Sequence, residues 1–336
     1  MNKIYVLDCT LRDGGYINDW RFGDDNAREI VNLVSASGVD VAELAFIKLC
    51  KYEKDKIEFS DMKQITKLFR PSRHKLSAMV EIGYGYPVTS FPDRSEDTVD
   101  MVRLVVWKRM IKESFEYAKS LLAKGYEVGI QATRIEQYND EEFKGFVQLF
   151  GQLSPRGIYI VDTFGLLTKQ RLLEYATIAD RYLAEGVCIG YHAHNNMQQA
   201  FSNMVAITEH PWNHPLMLDA SIMGMGRGAG NLCLELLEKY LNENFQKTFD
   251  VAPLYKAADK YIIPIYREQT WGYSIPYLLS ARNGRNPSYV NYLLKKGLTC
   301  EQMSILFSEM KKKDVGIIYD TKMCDELLSA LFPNVF

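Results

Sequence analysis

Apolar and polar positions along the 336-residue chain follow two alternating periods. Short apolar runs, of the kind that mark strands buried on both faces, recur at intervals of roughly 30 residues. Between them, apolar positions fall three and four apart, as on one face of a helix. Ile4 to Leu7 is the first run; Val39 to Phe46, Leu76 to Ile82, Val102 to Trp107, Glu127 to Ala132, Ile158 to Asp162, Val187 to His192 and Leu216 to Ser221 follow. Helices are predicted over Asp24 to Ser37, capped near Asp24 or Asp25 and stopped at Gly38, and from a Ser60 cap to about Phe69. Further helices are predicted over Lys112 to Ala123, Asp140 to Leu153, Lys169 to Ala184, Met197 to Glu209 and about Asn231 to Leu241. Gly83 to Pro92, rich in Gly and Pro, reads as a long loop, so the helix before the fourth strand is the weak point of the series.

Eight strands, each followed by a helical stretch, predict an α/β fold of the (β/α)8 TIM barrel type. An open doubly wound sheet is the competing architecture, but no Gly-rich phosphate turn follows the first strand. Beyond the eighth helix the chain keeps helical patterning without strands, with Leu293, Leu294, Met303, Leu306, Phe307, Leu327 and Leu328 as apolar positions. The expected division is a barrel over 1–245 and a helical C-terminal region over 246–336.

Composition narrows the function classes. A net charge of -2 offers no electrostatic footprint for nucleic acid or an anionic membrane, and Lys311 to Lys313 read as a solvated helix face. No apolar run reaches the roughly 20 residues that span a bilayer. Six cysteines without a CxxC pair fit reduced thiols, and a cytoplasmic location is expected.

In a barrel, residues at the C-terminal strand ends converge on one mouth. Arg12 and Asp13 stand after the first strand, before Gly14 and Gly15, which read as a turn. His192 and His194 end the seventh strand, and the extended period places both imidazoles on one side. One carboxylate with two imidazoles is a mixed donor set that suits Mn, Co, Fe or Zn, and Mg less well. Asn231 is either a further amide ligand or a helix N-cap; Glu43 either holds Arg12 or orients a metal-bound water. Lys48 and Arg134 are candidate anion contacts. Tyr273 and Tyr277, four apart, are either packing or catalytic. His210 and His214 read as surface residues outside the mouth.

The run Asp8-Cys9-Thr10-Leu11-Arg12-Asp13-Gly14 resembles a signature of the metal-dependent aldolase and Claisen-condensing barrels that include 4-hydroxy-2-oxovalerate aldolase, 2-isopropylmalate synthase and 3-hydroxy-3-methylglutaryl-CoA lyase. His192-Ala193-His194-Asn195-Asn196 and the stretch from Gly224 through Arg227 to Asn231 resemble its second and third signatures, and Glu43, Asp162 and Thr163 match its habits. Gly272, Tyr273 and Tyr277 are similar to a stretch of the hydroxy-oxo-acid aldolases. The resemblance implies a divalent metal, manganese foremost with magnesium, cobalt or zinc admissible, held by Asp13, His192 and His194, with Asn231 nearby. It implies that Arg12 contacts the oxygen that becomes an enolate, and that a small 2-oxo acid is the substrate of a carbon-carbon lyase. It admits a homo-oligomer and an aldehyde dehydrogenase partner, as in related aldolases. One departure stands out: the aldolases carry a histidine base where this chain has Tyr16. Tyr16, or failing it a metal-bound water or Tyr277, is then the group that exchanges the alcohol proton, or Tyr16 shapes the aldehyde pocket. An acyl-CoA condensing enzyme and a non-catalytic metal- and acid-binding barrel are the alternatives.

Overall fold

The computed structural model describes residues 3–70 and 74–333. Its strands are β1 (Ile4–Asp8), β2 (Val41–Ile47), β3 (Glu58–Phe59), β4 (Lys75–Glu81), β5 (Met101–Val106), β6 (Glu127–Ala132), β7 (Gly157–Asp162), β8 (Cys188–Ala193) and β9 (Leu216–Ala220). All pairings are parallel, and β1 closes the sheet by pairing with β9 (Leu7 opposite Asp219) and with β2 (Leu7 opposite Val41). The result is the expected eight-stranded (β/α)8 barrel, with the two-residue β3 added beside the end of β2. No described helix is long and apolar enough to cross a membrane.

Each of the eight expected strands lies within two residues of its expected bounds; other expectations need correction. Gly14 and Gly15 do not turn the chain but lie inside a helix, Thr10–Asn18, because the backbone continues helically straight from the end of β1. Asp24–Ser37 begins at Gly23 with no side-chain cap, its two aspartates instead occupying the first turn, where they favour the helix dipole. Asp61, not Ser60, caps Met62–Phe69, accepting from the Lys63 amide at 2.9 Å. The loop after β4 contains two short 3-10 turns, Ile82–Tyr84 and Val88–Ser90. The eighth helix starts later than expected, at Leu234.

Among the described residues beyond the eighth helix every regular element is a helix, as their pattern predicts. Leu254, Ala257, Tyr261, Ile262 and Trp271 pack into the main core, whereas Tyr289, Leu293, Met303, Leu306, Phe307 and Leu328 build a second cluster. Trp271 Nε1 donates to Met223 O, Asn196 Nδ2 to Tyr277 O, and Arg227 Nη2 to Asn286 Oδ1, so this region is stitched to the loops of the barrel mouth.

Inside the barrel the side chains form layers. Leu7, Val41, Met101, Cys188 and Met217 surround Tyr159, which is fully buried. Gly190 makes room for that ring: a Cβ there would lie 2.3 Å from it. Arg103 stacks on the same ring at 4.4 Å and carries the charges of the layer above.

Outside the barrel, Glu238 and Ser37 meet between two helices, both fully shielded from solvent. Ser37 Oγ lies within hydrogen-bond distance of both Val34 O and Glu238 Oε1. One hydroxyl proton cannot serve both, so a protonated Glu238 donating to Ser37 Oγ satisfies the cluster. Burial, reinforced by Asp8, Glu235 and Asp250, pushes this carboxyl up to about 8. The folded chain thus binds a proton that the unfolded chain releases near 4.5. Stability from the neutral form is complete below that value and is lost as pH rises toward 8. Glu238→Gln should therefore raise the melting temperature by roughly 2 °C or more at pH 9, and by much less at pH 5, in paired thermal scans.

Candidate metal centre and active site

The C-terminal ends of β1, β2, β4, β5, β6, β7 and β8 open into a cleft lined among others by Arg12, Asp13, Tyr16, Glu81, His192, His194 and Arg227. One potential ligand atom from each of Asp13, His192 and His194 lies within 4.8 Å of the other two, and all three side chains are buried. Their imidazoles meet edge to face at 5.0 Å.

The tautomers follow from the neighbours. His192 Nδ1 lies 2.9 Å from Asp219 Oδ2, and His194 Nδ1 lies 3.3 Å from Gly230 O. Both partners accept, so each Nδ1 carries the proton and each Nε2 lone pair is left for an ion. Burial pulls the His194 imidazole down to about 4, which keeps it neutral and ligand-competent at physiological pH. Burial also works against the Asp13 carboxylate, but Arg12 and the two histidines more than offset it and hold the group below its usual range.

Asp13 is fixed from three sides. Oδ1 accepts from Arg12 Nη1 at 2.5 Å; Oδ2 accepts from Asn231 Nδ2 at 2.8 Å and from the Arg227 amide at 3.2 Å. Gly226 permits this approach, since a Cβ there would lie 2.2 Å from Asn231 Nδ2 and 2.5 Å from Asp13 Oδ2. Asn231 does not cap the following helix, whose first flank is Cys233; its Oδ1 is buried without a partner. A buried carboxylate with two imidazoles of fixed tautomer, and a carbonyl oxygen left without a partner on the amide that holds Asp13, fit a divalent cation.

Arg12 is buried and charged. Desolvation opposes its charge, yet Glu43 and Asp13 raise its pKa further, and its Nε donates to Glu43 Oε2 at 2.7 Å. Glu43 also accepts from Arg103 Nη1 at 2.8 Å, and Arg103 Nη2 reaches Asp219 and Gln131. Glu43 therefore holds two guanidinium groups. An unbroken chain of ion pairs runs Asp13, Arg12, Glu43, Arg103, Asp219, and a hydrogen bond carries it on to His192.

The remaining sequence candidates separate. Tyr16 lines the cleft, with its ring against Trp20 at 4.8 Å and under the Arg227 guanidinium at 5.2 Å; burial pushes its hydroxyl up to about 12. Burial favours its protonated form, in which the hydroxyl is a hydrogen-bond donor. Tyr277 stands apart from the cleft: its hydroxyl donates to Asn291 Oδ1 at 3.1 Å within the C-terminal cluster, and Tyr273 is half exposed. Lys48 pairs with Glu58, and Arg134 with Glu136 while stacking on Phe164, so neither faces the cleft. Asp162 turns to the Leu166 and Leu167 amides, whereas Thr163 lines the cleft. His210 is exposed against Trp212, but His214 is buried, its Nδ1 3.0 Å from Val187 O, which corrects its reading as a surface residue.

Arg103, Asp219, Arg227, Glu81 and Trp107 were not foreseen as site residues. Arg103 and Asp219 did carry a signal, as lone charges at inward positions of otherwise apolar strands. Arg227 sits inside the Gly-rich stretch already singled out, without any periodicity to show that it faces the cleft.

Comparison with known proteins agrees with this geometry. The family profile described as HMGL-like matches residues 3–259. An oxaloacetate decarboxylase of Mycobacterium tuberculosis is 25% identical over 240 residues, covering 69% of this chain and 68% of the relative. A 4-hydroxy-2-oxovalerate aldolase of Geobacillus genomosp. 3 is 26% identical over 272 residues, covering 78% and 77%. The solved N-terminal domain of a candidate aldolase from Bacteroides vulgatus superposes with a TM-score of 0.69 at 25% identity, covering 86% of this chain and 96% of that domain. The relatives it matches are carbon-carbon lyases, and the chain belongs to the HMGL-like family.

Proposed function

We propose that the chain is an aldolase that cleaves or forms a 4-hydroxy-2-oxo acid by way of the enolate of pyruvate or a close 2-oxo acid, with manganese as its ion. The observation that carries this reading is the buried Asp13, His192 and His194 triad beside the Arg12 guanidinium, at the floor of a cleft with an apolar wall. Asp13, His192 and His194 would hold the ion, with Asn231 Oδ1 as the next oxygen available to it. When bound, the ion supplies Lewis acidity toward the carboxylate and ketone oxygens of the acid.

The chain's own residues do the rest. Arg12 has two of its nitrogens committed to Asp13 and Glu43, so its plane is set before substrate arrives. A fixed cation stabilises the oxyanion of an enolate without reorganising during the reaction. The interior network holds three carboxylates, Asp13, Glu43 and Asp219, against two guanidinium groups. A divalent cation reverses that balance, and a monoanionic 2-oxo acid then restores neutrality. Phe46, Met79, Val105 and Trp107 form one apolar side of the cleft, where water is excluded from the reacting carbons. Tyr16 closes that side and offers its hydroxyl as a donor.

Decarboxylation of oxaloacetate is a second reading, favoured by the Mycobacterium tuberculosis relative. It passes through the same enolate, and the two are told apart by supplying oxaloacetate or a 4-hydroxy-2-oxo acid and measuring pyruvate released from each.

Metal content is the most direct check. Purified protein should hold about one divalent ion per chain, lost in His192→Ala or His194→Ala; equal metal in wild type and the double variant by elemental analysis would refute the site. Arg12→Lys should lower kcat by roughly a hundredfold or more while changing KM far less, because an ammonium cannot keep the planar contacts to Asp13 and Glu43 and still face the substrate oxygen. A steady-state comparison in which only KM rose would reassign Arg12 to anchoring. Tyr16→Phe should keep cleavage within roughly tenfold of wild type, since a group that stays protonated cannot be the base; a loss beyond a hundredfold in the same assay would return the proton role to Tyr16.

A further inference from the structure

Aldol cleavage needs an acceptor for the alcohol proton, and the usual histidine is absent from position 16. The ionisable side chains that line the cleft are Arg12, Asp13, Tyr16, Glu81, His192, His194 and Arg227. Both arginines are permanently cationic. Asp13, His192 and His194 form the metal triad, and Tyr16 keeps its proton at neutral pH. One group is left.

We infer that Glu81 is the proton-transfer residue of this lyase, held in place by the Trp107 indole. The inference rests on the aldolase reading and extends it. Glu81 ends β4, on the opposite wall from the two histidines at the end of β8. Its Oε1 accepts from Trp107 Nε1 at 2.7 Å. For Oε2 no partner is found among the described residues, and this oxygen is not sealed off in the core. The carboxylate thus presents one tethered oxygen and one available oxygen at the edge of the apolar side formed by Phe46, Met79, Val105 and Trp107. Glu81 and the triad line one cleft from opposite walls, so a substrate held at the triad by its 2-oxo acid end would extend its carbinol carbon toward this side.

Burial raises this carboxyl above its ordinary 4.5, against the opposing pull of the Trp107 bond and the Arg227 and Arg109 charges. Tyr84, which is mostly exposed, is the other titratable group facing it. A raised carboxylate is a better base at neutral pH than an ordinary one.

The step balances within the chain. Glu81 removes the proton from the C4 hydroxyl; the O–H pair becomes the aldehyde C=O, the C3–C4 bond breaks, and its electrons form the C2=C3 bond of the enolate. After the aldehyde leaves, the proton passes from Glu81 to C3, which gives pyruvate and restores the carboxylate. No external oxidant, reductant or co-reactant is involved.

The test uses manganese-loaded full-length protein with a 4-hydroxy-2-oxo acid. Glu81→Gln should lower kcat for cleavage by roughly a hundredfold or more, while metal content and the affinity for oxalate, a planar dianion that needs only the triad and Arg12, stay within about threefold of wild type. The acidic limb of the wild-type pH profile should vanish in Glu81→Gln. It should move to higher pH in Trp107→Phe, which loses the bond that stabilises the charged form. On metal-free protein, a tryptophan-fluorescence titration should show a transition above pH 4.5 in wild type that Glu81→Gln lacks, because the indole reports on its own acceptor. Cleavage by Glu81→Gln within tenfold of wild type, or an unchanged acidic limb in that variant, overturns the role of Glu81 and leaves the aldolase reading standing. A wild-type protein that holds manganese and oxalate yet cleaves no 4-hydroxy-2-oxo acid overturns the aldolase reading, and the role of Glu81 falls with it.

Discussion

Arg103 is shut entirely inside the barrel, and its guanidinium bonds to Glu43 on one side and to Asp219 on the other. Burying such a charge costs several kcal/mol unless its hydrogen bonds are met, and removing one partner of a buried pair costs about 3 to 5 kcal/mol. Glu43 and Asp219 each hand the interaction on, Glu43 to Arg12 and Asp219 to His192. The cation that never reaches the cleft therefore fixes two groups that do. Neither end could be exchanged alone, because an altered Arg103 would free both carboxylates and let the Arg12 plane and the His192 tautomer drift together.

The same network accounts for the chemistry that suits the site. An excess of buried negative charge invites a cation, and with three candidate ligands an anion would have room to complete its shell. Above that polar floor the β2, β4 and β5 side of the cleft is apolar, interrupted at its rim by Glu81. The lining thus passes from charge stabilisation at the bottom to an apolar side that carries one carboxylate, Glu81.

Much of this was legible in the sequence because it depends on period. Strand spacing gave the closed barrel, and two histidines two apart could only share a face of β8. What escaped depends on contacts that have no period. Whether Gly14 and Gly15 turn or continue a helix is decided by the packing of the residues around them. The partner of Asn231 is set by Gly226, whose missing Cβ is visible only once Asp13 lies beside it. Tyr277 shares a short motif with aldolases but is claimed by Asn291 in the C-terminal cluster. Glu81 looked like any carboxylate at a strand end until Trp107 and the apolar cluster closed around it.

Tyr159 fills the barrel axis beneath the charged layer, with Gly190 pressed against its ring. Among the described residues the interior is therefore filled below the site, which leaves the mouth as its way in and out. In such a cul-de-sac the molecule seated at the floor cannot pass the one above it. For the proposed aldol reaction this imposes a sequence of traffic: the 2-oxo acid enters before the aldehyde in synthesis, and the aldehyde departs before the 2-oxo acid in cleavage.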